Sequence, residues 1–249
     1  MPAKFWKDVN RVIREADILL LLLDARFIDE TRNSEIEDKV RQAGKPLIYV
    51  ITKSDLVERQ ELAHFRKILR PSVFVSAKTR SGRNKLKQRI MTEAGKFYKG
   101  KEKIRVGVLG YPNVGKSSLI NFMKGRHSTQ TSVISGFTKG VQLLRIEKGL
   151  YFIDTPGVIP YKEKDEMKHV ITSVKDYTKV RQPDIAVINL MRSFPGRIEA
   201  HYGVPAIEDK EKTLETIALK KHVLMKGGLP DVMRMAVSIL RAFQTGRIK

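Results

Sequence analysis

The chain has 249 residues with 48 Lys and Arg against 27 Asp and Glu, a formal net charge of +21 with 41% apolar and 30% charged residues. That is length enough for one large domain or two modest ones with a real core, and the surplus of charge suits a polyanionic partner, whose counterions are released on binding, or else a well-solvated basic surface. The absence of Cys excludes disulfides and thiolate metal sites; the opening MPAKFWKDVN lacks the apolar core of a secretory signal, and the longest apolar run, Ile18 to Leu23, is too short to cross a bilayer, so a cytoplasmic protein with no membrane contact is expected.

The first predicted strand, ILLLLLD (Ile18–Asp24), has the continuous apolar run of a strand buried on both faces of a parallel sheet. PLIYVI (Pro46–Ile51) and VFV (Val73–Val75) follow. A helix is predicted over about 84–98, with Leu86, Ile90, Ala94 and Phe97 on one face and Lys85, Lys87, Arg89 and Lys96 on the others. Three more strands are IRVGVL (Ile104–Leu109), VQLLRI (Val141–Ile146) and LYFI (Leu150–Ile153). This alternation predicts an α/β domain, a mostly parallel sheet with helices on both faces. After Gly157 the pattern turns helical. Pro183-Asp184 marks a helix start, although DIAVINL also fits a strand. Leu214, Ile217, Ala218 and Leu224 form a helical stripe ending at Gly227-Gly228. Pro230 then opens a helix with Val232, Met235, Ala236, Ile239, Leu240 and Phe243 facing inward. The expected division is an α/β domain over 1–160 and a small all-helical domain over 161–249.

GYPNVGKSS (110–118) has the Gly-x-x-x-x-Gly-Lys-Ser spacing of a phosphate-binding loop, placed between a strand and a helix as that motif requires. The backbone N–H groups from Asn113 through Val114, Gly115, Lys116, Ser117 and Ser118 surround phosphates at a helix N-terminus. Lys116 reaches the β and γ phosphates and the Ser117 hydroxyl ligates magnesium. LYFIDTPG puts Asp154 at a strand end, where a carboxylate holds magnesium through water, and the Gly157 N–H senses the γ-phosphate. Between them SGFTKG offers Thr138 as the second magnesium ligand on a switch loop.

The base needs its own reader, and no Asn-Lys-x-Asp follows Gly157. Upstream, Thr52-Lys53-Ser54-Asp55 closes one strand and Ser76-Ala77-Lys78 closes the next. Asp55 accepts from guanine N1–H and the exocyclic amine, the Lys53 stem covers the base, and the Ala77 N–H meets guanine O6. Base-reading motifs therefore precede phosphate motifs, the reverse of an ordinary GTPase. The helix around 84–98 runs through KGKEK into the phosphate-loop strand, so the old termini are joined and the chain is reopened just after Asp-Thr-Pro-Gly. The expected fold is a circularly permuted P-loop GTPase domain plus the helical C-terminal domain.

This order, with DILLLLLDARFIDETRN at the front, resembles the circularly permuted GTPases of the YlqF/YawG (ribosome biogenesis GTPase A-like) family over nearly the whole chain. Asp24-Ala25-Arg26 and Thr31-Arg32-Asn33 match its Asp-Ala-Arg and Thr-Arg-Asn signatures, and IALKKHVLMKGGLPDVMRMAVSILRAFQTGRI looks like its helical C-terminal domain, which contacts RNA in relatives. The resemblance implies GTP or GDP, magnesium, and ribosomal RNA or the large ribosomal subunit. The chain departs from the family at Thr52, where Asn is usual, and lacks the N-terminal His that some relatives use, having none before His64. Val158, followed by Ile159, stands where a Gln would orient the attacking water, a hydrophobic substitution that relatives share, so the catalytic residue is unassigned. Asn113 either helps hold a potassium ion beside the phosphates or only shapes the loop.

His127 reads as a surface residue, the other four histidines lack metal-ligand spacing, and Trp6 reads as an anchor for the N-terminal segment. Ten Lys or Arg in 80–105, against Glu93 and Glu102, and a second basic set including Lys220, Lys221, Lys226, Arg234 and Arg241 favour RNA over plain solvated surface. The expected function is GTP hydrolysis in a monomeric switch on ribosomal RNA or large-subunit assembly, slow alone and stimulated by its partner. The alternative is a GTP-dependent regulator of a protein partner, with an incidental basic surface.

Overall fold

The computed structural model describes residues 2–58, 60–125, 142–154 and 166–248, and its contacts divide the chain into two compact units, Met1–Glu163 and Lys164–Lys249. In the first unit β1 (Ile18–Asp24), β2 (Leu47–Thr52), β3 (Ser72–Phe74), β4 (Ile104–Gly110), β5 (Gln142–Glu147) and β6 (Leu150–Asp154) form one six-stranded sheet in the order β3-β2-β1-β4-β6-β5. All neighbours are parallel except β5 and β6. The strands lie within a residue or two of their expected positions. β1 is central, and all seven of its residues are buried. Each of its leucines contributes about 1.5–3 kcal/mol relative to an exposed side chain.

Helices α1 (Pro2–Glu15), α2 (Ile28–Thr31), α3 (Ser34–Gln42), α4 (Glu61–Ile68), α5 (Arg83–Phe97) and α6 (Lys116–Lys124) complete the unit. Val9, Val12 and Ile13 of α1 share a core with Leu19, Leu21 and Leu23 of β1, Ile36 and Val40 of α3, and Leu62 of α4. Helix α1 lies close to the sheet because β4 carries Gly107, where a Cβ would stand 2.7 Å from both Leu19 Cδ1 and Val12 Cγ1. Trp6 packs against this core, with the Lys39 ammonium 5.0 Å from its ring centroid. One expected core position fails. Leu86, Ile90 and Ala94 of α5 are buried, but Phe97 is 56% exposed. Phe97 is the last residue of α5, and Glu93 is buried beside Ala94, held by Lys96 at 3.1 Å and Arg89 at 3.6 Å.

The second unit contains α7 (Glu166–Ile171), α8 (Pro183–Ser193), α9 (Arg197–Tyr202), α10 (Lys210–Lys220) and α11 (Val232–Gln244). DIAVINL is helical: Pro183 opens α8, and Val187, Leu190 and Met191 are buried at helical spacing. They pack with Ile198, Leu214, Ile217, Ile239, Leu240 and Phe243, all buried. Gln244 pins α11 to the loop after α7, donating to Val170 O and Lys175 O at 3.0 Å and accepting from Tyr177 N at 3.1 Å. Two expectations are corrected. The α10 stripe stops before Leu224, because His222 takes a left-handed φ of 54° and Leu224 then bridges Pro230 as extended backbone. Pro230 therefore precedes α11 rather than opening it, and Asp231 caps the helix by accepting from Arg234 N at 2.9 Å. Among the described residues no helix is long and apolar enough to cross a membrane.

Candidate nucleotide-binding site

Because β1, β2, β3, β4 and β6 run parallel, their C-terminal ends share one edge of the sheet, and Asp24, Thr52, Gly110 and Asp154 each end a strand there. Open α/β sheets bind ligands at this edge. The loop leaving β4 turns through Asn113 at φ 61° and Gly115 at φ 99°, a left-handed position that suits glycine, and α6 begins at Lys116. Lys116 is buried, and its Nζ donates to Gly110 O at 3.1 Å and Tyr111 O at 2.8 Å, across its own loop. Asn113, Ser117 and Ser118 are exposed around the loop, whereas Val114 is buried.

Thr52 and Lys53 tie this loop to β2 although some 60 residues separate them. The Thr52 hydroxyl lies 2.6 Å from Val114 O and 3.0 Å from Leu23 O, so its one proton serves either carbonyl. The hydroxyl is thus turned to the main chain. Lys53, at a left-handed φ of 54°, donates to Asn113 O at 3.0 Å and to Asp24 Oδ2 at 2.6 Å. Asp55 follows in the turn Ser54–Leu56, half-buried, with no hydrogen bond or ion pair to its carboxylate among the described residues. The neighbouring loop is tied in by Ser54 N to Val75 O at 3.2 Å. There Ser76 is buried and its Oγ accepts from Thr79 N at 3.0 Å, while Ala77 and Lys78 are exposed. The base and phosphate motifs thus stand at one sheet edge.

The residue that joins them was legible only as part of a signature. Asp24 is 3% exposed and accepts from Arg26 Nε at 3.0 Å, an Arg26 terminal nitrogen at 2.8 Å, the Arg26 backbone N–H at 3.1 Å, and Lys53. Burial alone would raise the pKa of this carboxyl, but Arg26 and Lys53 outweigh it and hold the group below its ordinary value. Burial lowers the pKa of Lys53, against the attraction of Asp24. Thr31, Arg32 and Asn33 support this corner. Thr31 Oγ1 accepts from Asp24 N at 3.0 Å, Arg32 forks onto Glu37 at 2.7 and 2.9 Å, and Asn33 caps α3 by accepting from Ile36 N at 3.2 Å. An acid at a strand end two residues before an Arg was the available signal.

Thr138, Gly157, Val158, Ile159 and His127 lie outside the described residues. Of the other expected metal ligands, the Ser117 hydroxyl and the carboxylate-bearing Asp154 are oxygen donors, a hard set that fits magnesium. Among the described residues no three His, Cys, Asp or Glu gather into a metal site of their own.

A phosphate-loop motif after β4 and the Thr-Lys-Ser-Asp and Ser-Ala-Lys motifs after β2 and β3, arranged on this sheet, define a P-loop GTPase fold. A family model described as 50S ribosome-binding GTPase matches residues 105–225, beginning at β4, and one described as RsgA GTPase matches 39–162, taking in the base-reading loops first and the phosphate loop second. The chain has the circularly permuted P-loop GTPase fold seen in YlqF. It is 38% identical to an uncharacterized GTP-binding protein of Methanocaldococcus jannaschii over 100% of this chain and 66% of the other. It is 31% identical to nucleolar GTP-binding protein 2 of Saccharomyces cerevisiae over 98% of this chain and 52% of that protein. The chain thus spans about half to two thirds of the length of these relatives. Among solved structures, GNP-bound YlqF from T. maritima superposes with a TM-score of 0.64 at 20% identity, over 98% of this chain and 94% of the other.

Proposed function

We propose that the protein binds GTP and GDP with magnesium, hydrolyses GTP, and acts as a nucleotide-dependent switch on ribosomal RNA or large-subunit assembly. The observation that carries the nucleotide reading is the joint between Thr52-Lys53 and the backbone of Asn113 and Val114. It ties the end of β2, after which Asp55 follows, to a phosphate-loop motif far away in sequence, and so supports reading Asp55 as the base-reading carboxylate. In this reading Asp55 reads guanine, the Lys53 stem and Ala77 border the base, and Ser76 and Lys78 complete that loop. The amides of residues 113–118 and Lys116 hold the phosphates. Ser117, Thr138 and, through water, Asp154 hold magnesium, and Gly157 senses the γ-phosphate. Hydrolysis is slow without a partner because Val158 cannot orient water, and Asn113 contributes a potassium ligand.

The RNA reading is supported by the net charge of +21 and by relatives described as ribosome-binding or nucleolar GTPases. The helical C-terminal domain carries the second basic set, and the segment after Gly157 connects it to the γ-phosphate sensor.

Equilibrium titration with GTP, GDP, ATP and xanthosine triphosphate tests the base assignment. The wild type prefers guanine nucleotides, and Asp55→Asn loses on the order of 2–4 kcal/mol of GTP affinity while gaining preference for the xanthine nucleotide. Equal wild-type affinity for ATP and GTP would overturn it. For the switch, affinity for ribosomal subunits in the GTP-analogue and GDP states differs by roughly 5–150-fold. Equal affinity at several salt concentrations removes the switch.

A further inference from the structure

The first unit carries a long groove that begins at the Ser54-Asp55 turn and continues well past it, away from the phosphate loop. Two concavities of about 1280 and 950 Å³ share Arg66, Phe74 and Lys85, and so run into one another. The groove starts at Ser54 and Asp55, which line it, passes between α4 and α5, and follows β3, the outermost strand on that side of the sheet, as far as Lys96. Its lining includes neither Lys53 nor any residue of 110–118, so it is distinct from the phosphate loop.

Asp55 and Glu58 line its near end together with Arg80 and Arg83, whereas its far end is predominantly basic. Lys85, Arg89, Thr92 and Lys96 line one wall at spacings of four, three and four residues, which puts them on one face of α5. Arg66 and Arg70 come from the other side of the groove. The lining acid at this end is Glu93, which is buried and already engaged by Lys96 and Arg89. Arg66, Arg70 and Lys85 are exposed and make no ion pair among the described residues. The Arg66 guanidinium rests 5.0 Å from the Phe74 ring centroid, which places that cation over the groove floor. Cations that a fold collects along a concave strip without matching acids are an electrostatic footprint for polyphosphate. From Lys85 to Lys96 the helix rises roughly 16 Å, and a stacked nucleic-acid strand carries a phosphate about every 3.4 Å.

We propose that this groove, between α4 and α5 along β3, is the docking surface of the first unit for the phosphodiester backbone of RNA, with Arg66, Arg70 and Lys85 as its principal phosphate contacts. The proposal rests on the RNA reading given above and adds where the GTPase domain meets its RNA. An acidic peptide fits less well. An added strand needs a run of main-chain groups along the sheet edge, whereas β3 is only Ser72–Phe74 and is preceded by Pro71, which has no N–H to give. Recognition here falls to the side chains, and their spacing along a helix face suits a line of phosphates. Because the groove opens beside Asp55, RNA lying in it also touches the loop that reads the base.

The test compares the full chain with Arg66→Gln/Arg70→Gln/Lys85→Gln and with a charge-matched control, Lys7→Gln/Arg14→Gln/Arg41→Gln, on the exposed faces of α1 and α3. Binding to purified large-subunit ribosomal RNA is measured across a salt series, with polyglutamate as a second probe and GDP affinity as a check on the fold. The expected result is that the groove variant alone loses about tenfold or more in RNA affinity at moderate salt. Its log–log salt slope falls by about two, as three lost phosphate contacts require, and its GDP affinity is unchanged. If groove and control variants bind RNA alike while the wild type binds well, the groove assignment is wrong and the RNA reading stands. A wild type that binds no RNA overturns both. Loss of polyglutamate binding with RNA binding intact assigns the groove to an acidic protein instead.

Discussion

On the base side of the site, Lys53 is clamped between a buried carboxylate and a loop carbonyl, and that carboxylate is itself forked by Arg26. On the phosphate side, the loop keeps its shape through its own main chain, with Gly115 in a left-handed turn and Lys116 folded onto Gly110 and Tyr111. One side is organised by charges taken out of water, the other by backbone geometry. The two differ in what a lesion destroys. Removing one member of a buried ion pair strands its partners, so damage at the base side costs stability and binding together. Damage at the phosphate side costs mainly binding.

The largest effect is expected at Asp24. Asp24→Asn leaves the Arg26 charge, with 5% of its side chain exposed, and the Lys53 ammonium without their counterion. The loss is about 3–5 kcal/mol of folding stability, read by chemical denaturation, with weakened GDP binding because Lys53 is released. The sign of its pH dependence follows. The folded-state pKa of Asp24 lies below its unfolded value of about 3.9. Its contribution is therefore complete above that value and is lost as pH falls through the folded pKa. Asp24→Asn flattens that acid limb. A variant with wild-type stability would show that the hub is not what holds the base side.

Lys116→Ala comes next and sharpens the contrast. It removes a cation assigned to the phosphates and two hydrogen bonds to loop carbonyls. Triphosphate affinity falls by on the order of 3 kcal/mol, about a hundredfold or more, while stability falls by less than about 2 kcal/mol. If Lys116→Ala unfolds the protein as readily as Asp24→Asn, the two sides are not built differently.

What was legible in the sequence follows the same division. The strands were readable because a parallel sheet buried on both faces demands continuous apolar runs, as in Ile18–Leu23, and the loops because Gly, Pro and a short Ser-Ala-Lys have strong local meaning. The order of those loops, base motifs first, was enough to show that the domain is circularly permuted. The Asp24–Lys53 contact was not derivable, because Asp24 ends β1 and Lys53 follows β2, and only the register of β1 on β2, Asp24 opposite Thr52, brings them together. Phe97 and Leu224 failed for a related reason. Helical spacing predicts which face a residue occupies, but not whether anything covers that face at the helix end, as at Phe97, or where a left-handed residue such as His222 stops the helix.

The smallest effect, at Thr52, tests whether the base side sets the geometry of the phosphate side. A trans peptide points its C=O and the following N–H in opposite directions. With the Thr52 hydroxyl 2.6 Å from Val114 O, the Val114 carbonyl is drawn toward β2, and the Gly115 N–H is turned away from it. One hydroxyl thereby fixes the aim of a backbone donor in the phosphate loop. Thr52→Val keeps the shape and removes the bond, at a cost of about 1 kcal/mol in stability. Nucleotide affinity should fall by a similar amount, roughly fivefold, because the Gly115 donor is no longer held in place. Thr52→Ser retains the hydroxyl and should recover most of both losses. Paired denaturation and GDP titrations on the two variants read this directly. If Thr52→Val loses stability but binds nucleotide as the wild type does, the contact is a strut between strands and the phosphate loop sets its own geometry.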